Sequence, residues 1–375
     1  MDNRERQSSL HCDVRVPLQD GARSRGRDSA EYNVYPKRFP DAGEHGERSV
    51  IRRLAQFGVD LEAIGLPDVR DISEAQYESL LGQAVRAQFD IIFANAFDHL
   101  AQTSGSEQWR VIEETARMVT GWQEPFGIGM IRRGSDVGDG HEPSALVSLE
   151  GLHVFEGIEQ VGTDEITVAV ERLHRIGIRS VTLQYGTETR LATINDGLTV
   201  LGEEAVRQLL KKGILVDLAH ALPKTRTDIF RLAEDLGRGQ QVVYTHGAPS
   251  LEIAKDPGFA AAAEKRGLSE DEIKRIIRLG GIIGLGVTRP FFQSPDHLAA
   301  TIDRLSQLER GPESLAIGSD FGGVPPAFSI GLMNPTEVSV ILGDLLAQRF
   351  GAGSEAKIQA VLRTNAREWL KKSLL

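Results

Sequence analysis

Cysteine is almost missing from this chain. Cys12 is the one instance in 375 residues, so no disulfide can form within the chain, and a reducing cytoplasm is the expected setting. Long apolar runs are also missing. No stretch approaches the roughly 18 residues that suggest a membrane span. The opening MDNRERQSSLHCD has none of the apolar centre of a secretory leader. Basic excess is lacking as well: 43 Lys and Arg stand against 53 Asp and Glu, a net charge of −10. That balance argues against nucleic acid and anionic membranes as partners, and simple solubility accounts for it. What is present is a hydrophobic fraction of 41%, enough for a sizeable core. No internal repeat or second domain is evident.

Eight short apolar segments read as buried parallel strands: residues 8–16, 89–97, 144–151, 180–185, 214–220, 241–247, 281–287 and 315–321. Their near-continuous apolar character is expected where helices cover both faces of a sheet. Helical spacing of apolar residues fills most of the gaps, over 164–177, 202–213, 225–237, 269–281 and 295–308. SEDE and SPDH look like N-caps. Eightfold strand–helix alternation predicts an α/β (β/α)8 TIM barrel, a single domain over residues 1–375. An open doubly wound sheet is the structural alternative. Residues 17–75 break the rhythm and are rich in Gly, Arg, Asp and Pro. They read as a long insertion after strand 1, either an excursion over the barrel mouth or an irregular loop.

Barrel enzymes of this kind place their chemistry at the C-terminal strand ends. Polar residues at those ends are His11 and Asp13, Glu150, Tyr185, His220, His246 and Asp320. His11 and Asp13 are two apart on a strand, so they share a face and can chelate one cation, while Cys12 points away and reads as a small core thiol. HCD alone is a short motif that also arises by chance. A lone histidine ending an apolar strand is as a rule a satisfied core residue. Two on successive strands, with Glu150 ending a third, point instead to a zinc-like ion. Two such metals bridged by a carboxylate would generate a hydroxide near neutral pH. Asp320 can orient a water and carry its proton, or simply cap the following turn. His45, His99, His141, His174 and His297 read as surface or core residues.

At these residues the chain resembles the membrane dipeptidase (renal dipeptidase) family of zinc peptidases, a branch of the amidohydrolase-like barrels. The matching stretches run from residue 144 onward: VSLEG, RIGIRSVTL, DGLTVLGEEAVRQLLKKGILVDLAH, VVYTHGAP, LSEDEIKRIIRLGGIIG, AIGSDFGG and TNAREWL. Before them the likeness rests on LHCD and VRAQFDIIFA. The resemblance implies two divalent metal ions, of the zinc type. His11, Asp13 and Glu150 would hold one, and Glu150, His220 and His246 the other. It makes Asp320 the catalytic acid/base, and Arg266 the group that binds a substrate carboxylate. An exposed arginine near a helix start is the plainer account of Arg266. His153 would either orient Glu150 or be a loop residue. The chain departs from the pattern in four places: Tyr185 stands where the family carries a histidine, Ser9-Leu10 replace an acidic position, Gly322 replaces a second aspartate, and the segment between the first and third strands is unusually long.

The expected function is hydrolysis of the amide bond of a dipeptide or small peptide-like substrate through a metal-bridging hydroxide, and the resemblance implies a homodimer. The alternatives are a specialised amidohydrolase acting on a biosynthetic intermediate, and a catalytically inactive barrel that serves as a binding module.

Overall fold

The computed structural model describes residues 7–8, 82–83, 86, 89–96, 105–140, 142–185, 188–253, 255, 265–289, 291–320, 328–332 and 335–375. His11, Cys12, Asp13, the 17–75 excursion, His45, His99, His141 and Gly322 lie outside the described residues.

Eight parallel strands follow one another in chain order: β1 Gln7–Ser8, β2 Phe89–Ala96, β3 Ser144–Glu150, β4 Ile178–Thr182, β5 Leu215–Asp217, β6 Val242–Tyr244, β7 Ile282–Leu285 and β8 Leu315–Ile317. A two-residue strand, Gly129–Met130, pairs alongside β3. The seven later segments expected to be strands each overlap one, the first meets β1 only at Ser8 with its remainder outside the described residues, and the consecutive order is that of the (β/α)8 class. The curled parallel sheet carries its helices between strands: α1 Gly105–Gly121, α2 Thr163–Ile176, α3 Val200–Lys211, α4 Pro223–Asp235, α5 Glu270–Leu279 and α6 Pro295–Leu305. Two later helices, α7 Gly343–Phe350 and α8 Asn365–Ser373, complete the chain.

Local chemistry explains the boundaries. The Ser269 hydroxyl accepts from the Glu272 amide, and the Glu272 carboxylate returns a bond to the Ser269 amide, a capping box that starts α5. Ile273, Ile276 and Ile277 then share one face, and all three are buried. At α6 the Ser294 hydroxyl accepts from the His297 amide at 3.1 Å, with Pro295 at the first helical position. Both caps are those that SEDE and SPDH led us to expect.

Alternation along each strand splits the apolar residues into two layers. Ile92, Ala94, Val147, Leu149, Val216, Val242, Ile283 and Ile317 belong to the core beneath the helices. Ile91, Phe93, Leu146, Leu215, Val243, Ile282 and Ala316 form a separate inner cluster. Ala366, Trp369, Leu370 and Leu374, from α8 and the residue just after it, join that inner cluster. The C-terminal helix therefore closes the floor, and the Trp369 indole donates to the Gln240 carbonyl, 3.0 Å away. Replacing Trp369 with alanine should lower stability by about 3–5 kcal/mol, the usual cost of emptying an aromatic core site. Urea denaturation measures this, and an unmoved midpoint would show that α8 does not seal the floor.

Candidate active site

Two steps along a strand return to the same face, so the inner row continues upward from the apolar cluster. On β2 it runs Ile91, Phe93, Asn95; on β3, Leu146, Ser148, Glu150; on β5, Leu215, Asp217; past the end of β6, Val243 leads to Thr245. All four polar residues above the apolar layer, and Glu150, are buried. Register sets their heights: Asn95 lies opposite Ser148, and Glu150, Thr182 and Asp217 form one row across three strands.

This polar layer carries the next one. Asp217 accepts from Thr182 Oγ1 at 3.1 Å, Thr245 Oγ1 at 2.5 Å and the amides of Thr245 and Ala219, each at 3.0 Å. Asn95 donates to Glu150 Oε2 at 2.7 Å and accepts from Ser148 at 3.0 Å. Glu150 Oε1 then lies 2.6 Å from His220 Nε2 and 3.9 Å from His246 Nε2. The two imidazole Nε2 atoms are 2.8 Å apart.

Glu150 ends its strand as expected. His220, His246, Tyr185 and Asp320 instead stand two or three residues past theirs, on turns. His220 and Asp320 adopt left-handed φ values of 61° and 55°. Histidine and aspartate tolerate that region better than most residues, and strained backbone of this kind gathers at functional sites. Gly318, two residues before Asp320, presses on the His246 turn. A Cβ there would lie 1.8 Å from the Thr245 carbonyl oxygen, so only glycine lets β8 approach.

The hydrogen-bond network assigns the His246 tautomer. Thr245 directs its one hydroxyl proton at the Asp217 carboxylate, which can only accept. Its oxygen, 3.1 Å from His246 Nδ1, therefore accepts the Nδ1 proton. The Nε2 lone pair is left facing Glu150 and His220, the arrangement a metal-ligating histidine needs. One carboxylate oxygen and two imidazole nitrogens, all within 4.8 Å of one another, form this group. Such a buried nitrogen–oxygen donor set fits a divalent cation of zinc type.

The remaining expected residues are distributed around this group. The Tyr185 ring stacks on His220, with centroids 4.4 Å apart at 30°. Asp320 is buried but is not part of the three-residue group. Arg266 has an exposed side chain, and its carbonyl accepts the Tyr244 hydroxyl at 2.7 Å. His153 makes no hydrogen bond to Glu150 among the described residues. Its Nε2 has no partner, and its amide is held by Gln108 Oε1, 2.6 Å away, while Gln108 also bonds the Gly151 carbonyl. Sequence reasoning passed over Asn95, Asp217, Thr245 and Gln108. The two-residue step from Ile91, Leu215 and Val243 marks the first three; Gln108 comes from α1 and leaves no such mark.

A curled parallel α/β sheet of the barrel class, with carboxylate and imidazole donors gathered beyond its C-terminal strand ends, defines a (β/α)8-type fold with a candidate metal site. The profile of the membrane dipeptidase family, peptidase family M19, matches residues 69–372, and the chain belongs to that family. The match begins well before residue 144, where the evident likeness started. Dipeptidase tcpJ of Claviceps purpurea is 24% identical over 246 residues, 62% of this chain and 52% of that one. An uncharacterized dipeptidase of Schizosaccharomyces pombe is 23% identical over 185 residues, 45% of this chain and 41% of that one. The chain thus spans about half the length of these curated relatives. Among solved structures, a metallo peptidase from Rhodobacter sphaeroides liganded with a phosphinate mimic of L-Ala-D-Ala superposes with a TM-score of 0.60. It is 18% identical, over 78% of this chain and 89% of that one. The probable dipeptidase PvdM from Pseudomonas aeruginosa gives 0.63 at 15% identity, over 78% and 88%. These structures share the fold.

Two outcomes follow. Thr245→Val removes the acceptor for His246 Nδ1–H and should weaken metal retention by about 10- to 100-fold; chelator competition measures this, and unchanged retention would reject the tautomer assignment. Burial pushes the His153 pKa down to about 4. The unfolded chain takes up that proton near pH 6.5 and the native chain only near 4, so stability is full above pH 6.5 and falls as pH drops between the two. The urea midpoint should therefore decline more steeply from pH 7 to 5 in the wild type than in His153→Gln, and equal declines would contradict this.

Proposed function

We propose that the protein is a metal-dependent hydrolase that cleaves the amide bond of a dipeptide or small peptide-like substrate. The observation that carries this reading is the convergence of buried Glu150 and His246 with the partly buried His220 in one group. Family membership supports the substrate class. So does the dipeptide mimic bound by the Rhodobacter sphaeroides relative.

Glu150, His220 and His246 would hold one cation. With Glu150 shared, His11 and Asp13 would hold a second, and zinc is the metal this donor set favours. When bound, the cations supply Lewis acidity and lower the pKa of water toward neutrality. The chain's own residues do the rest. Asp217 and Asn95 hold the donors still, so no reorganisation is needed during the reaction. Asp320 moves the proton: it takes one from the attacking water and delivers it to the amine nitrogen as the C–N bond breaks. Tyr185, beside His220, suits donation of a hydrogen bond to the substrate's carbonyl oxygen. It cannot act as a cation, unlike the histidine the family pattern carries there. The Arg266 guanidinium suits the terminal carboxylate.

The stacked Tyr185 also favours a second reading, a specialised amidohydrolase with a peptide-like conjugate as substrate. Metal-loaded protein that ignores a panel of plain dipeptides would favour it over the first. Protein purified without chelator should carry about two metal equivalents per chain; none would point to a binding module.

Asp320→Asn should lower kcat by about 100- to 10,000-fold while metal content and the unfolding midpoint hold. His220→Ala and His246→Ala should lose both metal and turnover. Full activity in any of the three, measured on dipeptides, would sink the assignment.

A further inference from the structure

Arg226, on α4, is among the largest fully buried side chains of the protein, at 1% exposure. Every N–H of its guanidinium has an acceptor. Nε and one terminal nitrogen grip Glu272 at 2.6 and 3.1 Å. The other donors reach three carbonyls: Ala221 at 2.7 Å, Lys265 at 3.2 Å and Gly267 at 3.0 Å. Between the last two, the Arg266 carbonyl accepts the Tyr244 hydroxyl. Two buried side chains from different elements thus hold three successive carbonyls.

The other ends of this clamp lie at the site. Ala221 directly follows His220. Gly247 directly follows His246, and its backbone runs so close over Tyr244 that a Cβ would stand 2.0 Å from the phenol oxygen. Beyond Gly247, the Ala248 carbonyl accepts the Leu268 amide at 3.1 Å, and the Leu268 carbonyl accepts the Ser250 amide at 2.8 Å. Glu272 also closes the capping box of α5, so the same carboxylate fixes the start of that helix.

We propose that Arg226 and Tyr244 are positioning residues that lock the Lys265–Gly267 backbone to the turns carrying His220 and His246. Arg266, the proposed anchor of the substrate's carboxylate, is thereby held at a fixed distance from the cleaving centre. This last step rests on the function proposed above; the clamp itself rests on the contacts. Five donors in one planar fork cannot be matched by an ammonium, so lysine is a poor replacement. Phenylalanine at position 244 keeps the ring and removes a single bond.

The test uses the full chain, metal-loaded, as wild type, Tyr244→Phe and Arg226→Lys. Hydrogen exchange over residues 265–268 should quicken about tenfold in both variants. KM for a dipeptide with a free carboxylate should rise about fivefold or more with kcat little changed, while KM for the same dipeptide as its C-terminal amide stays put. Unchanged exchange overturns the clamp. So does a KM that rises equally for acid and amide, as a general loosening would produce. If Arg226→Lys fails to fold, Tyr244→Phe decides on the same two readouts. A wild type that does not distinguish acid from amide rejects Arg266 as the anchor; exchange over 265–268 then upholds or overturns the clamp alone.

Discussion

A single buried carboxylate holds the candidate site together. Asp217 accepts four hydrogen bonds, from β4, from the turn after β6 and from its own turn. A carboxylate out of water is costly unless its lone pairs are filled, and here they are filled by donors on neighbouring strands. Those bonds fix more than Asp217. The amide of Ala219 ties down the turn that throws His220 into a left-handed conformation. The Thr245 hydroxyl sets which nitrogen of His246 faces the donor group. Asn95 does the corresponding task for Glu150.

Beneath this layer the protein is apolar, and the change is abrupt. Leu146, Leu215, Val243, Ile282 and Ala316 fill the interior, and α8 seals it with Trp369 and Leu370. One step of two residues up each strand replaces hydrocarbon with hydroxyl, amide and carboxylate. The apolar floor excludes water from below, so the hydrogen bonds above it act in a low dielectric and hold their partners firmly. The barrel thus offers rigidity where Glu150 and His246 meet His220, while Tyr185 and Asp320 stand on the turns beyond the strand ends.

Much of this was legible in the residues. Apolar runs that suit strands covered on both faces placed β2 through β8, because such runs have few other stable uses, while the two-residue strand Gly129–Met130 left no such mark. Ser269 with Glu272, and Ser294 with Pro295, announced two helix starts to the residue, since caps are local chemistry. Glu150 was legible as a strand end. His220 and Asp320 were legible as residues but not as geometry: φ near 60° is set by the turn's surroundings, not by the letters LAH or GSD. The role of His153 was left open by the sequence. Its nearness to Glu150 along the chain allowed either an orienting bond or a plain loop position, and in the fold its amide donates to Gln108 Oε1.

The sequence by itself determined the periodicities: which segments extend, which coil, and which faces are apolar. These follow from side-chain chemistry within a few residues, where spacing and direction are known in advance. Tertiary structure alone decided which of the strand-end residues meet. Strand register aligned Glu150 with Thr182 and Asp217, and curling of the sheet brought His220 and His246, 26 residues apart, to hydrogen-bonding distance. Register and curvature are summed over every strand pairing and the packing between them, so no single segment encodes them.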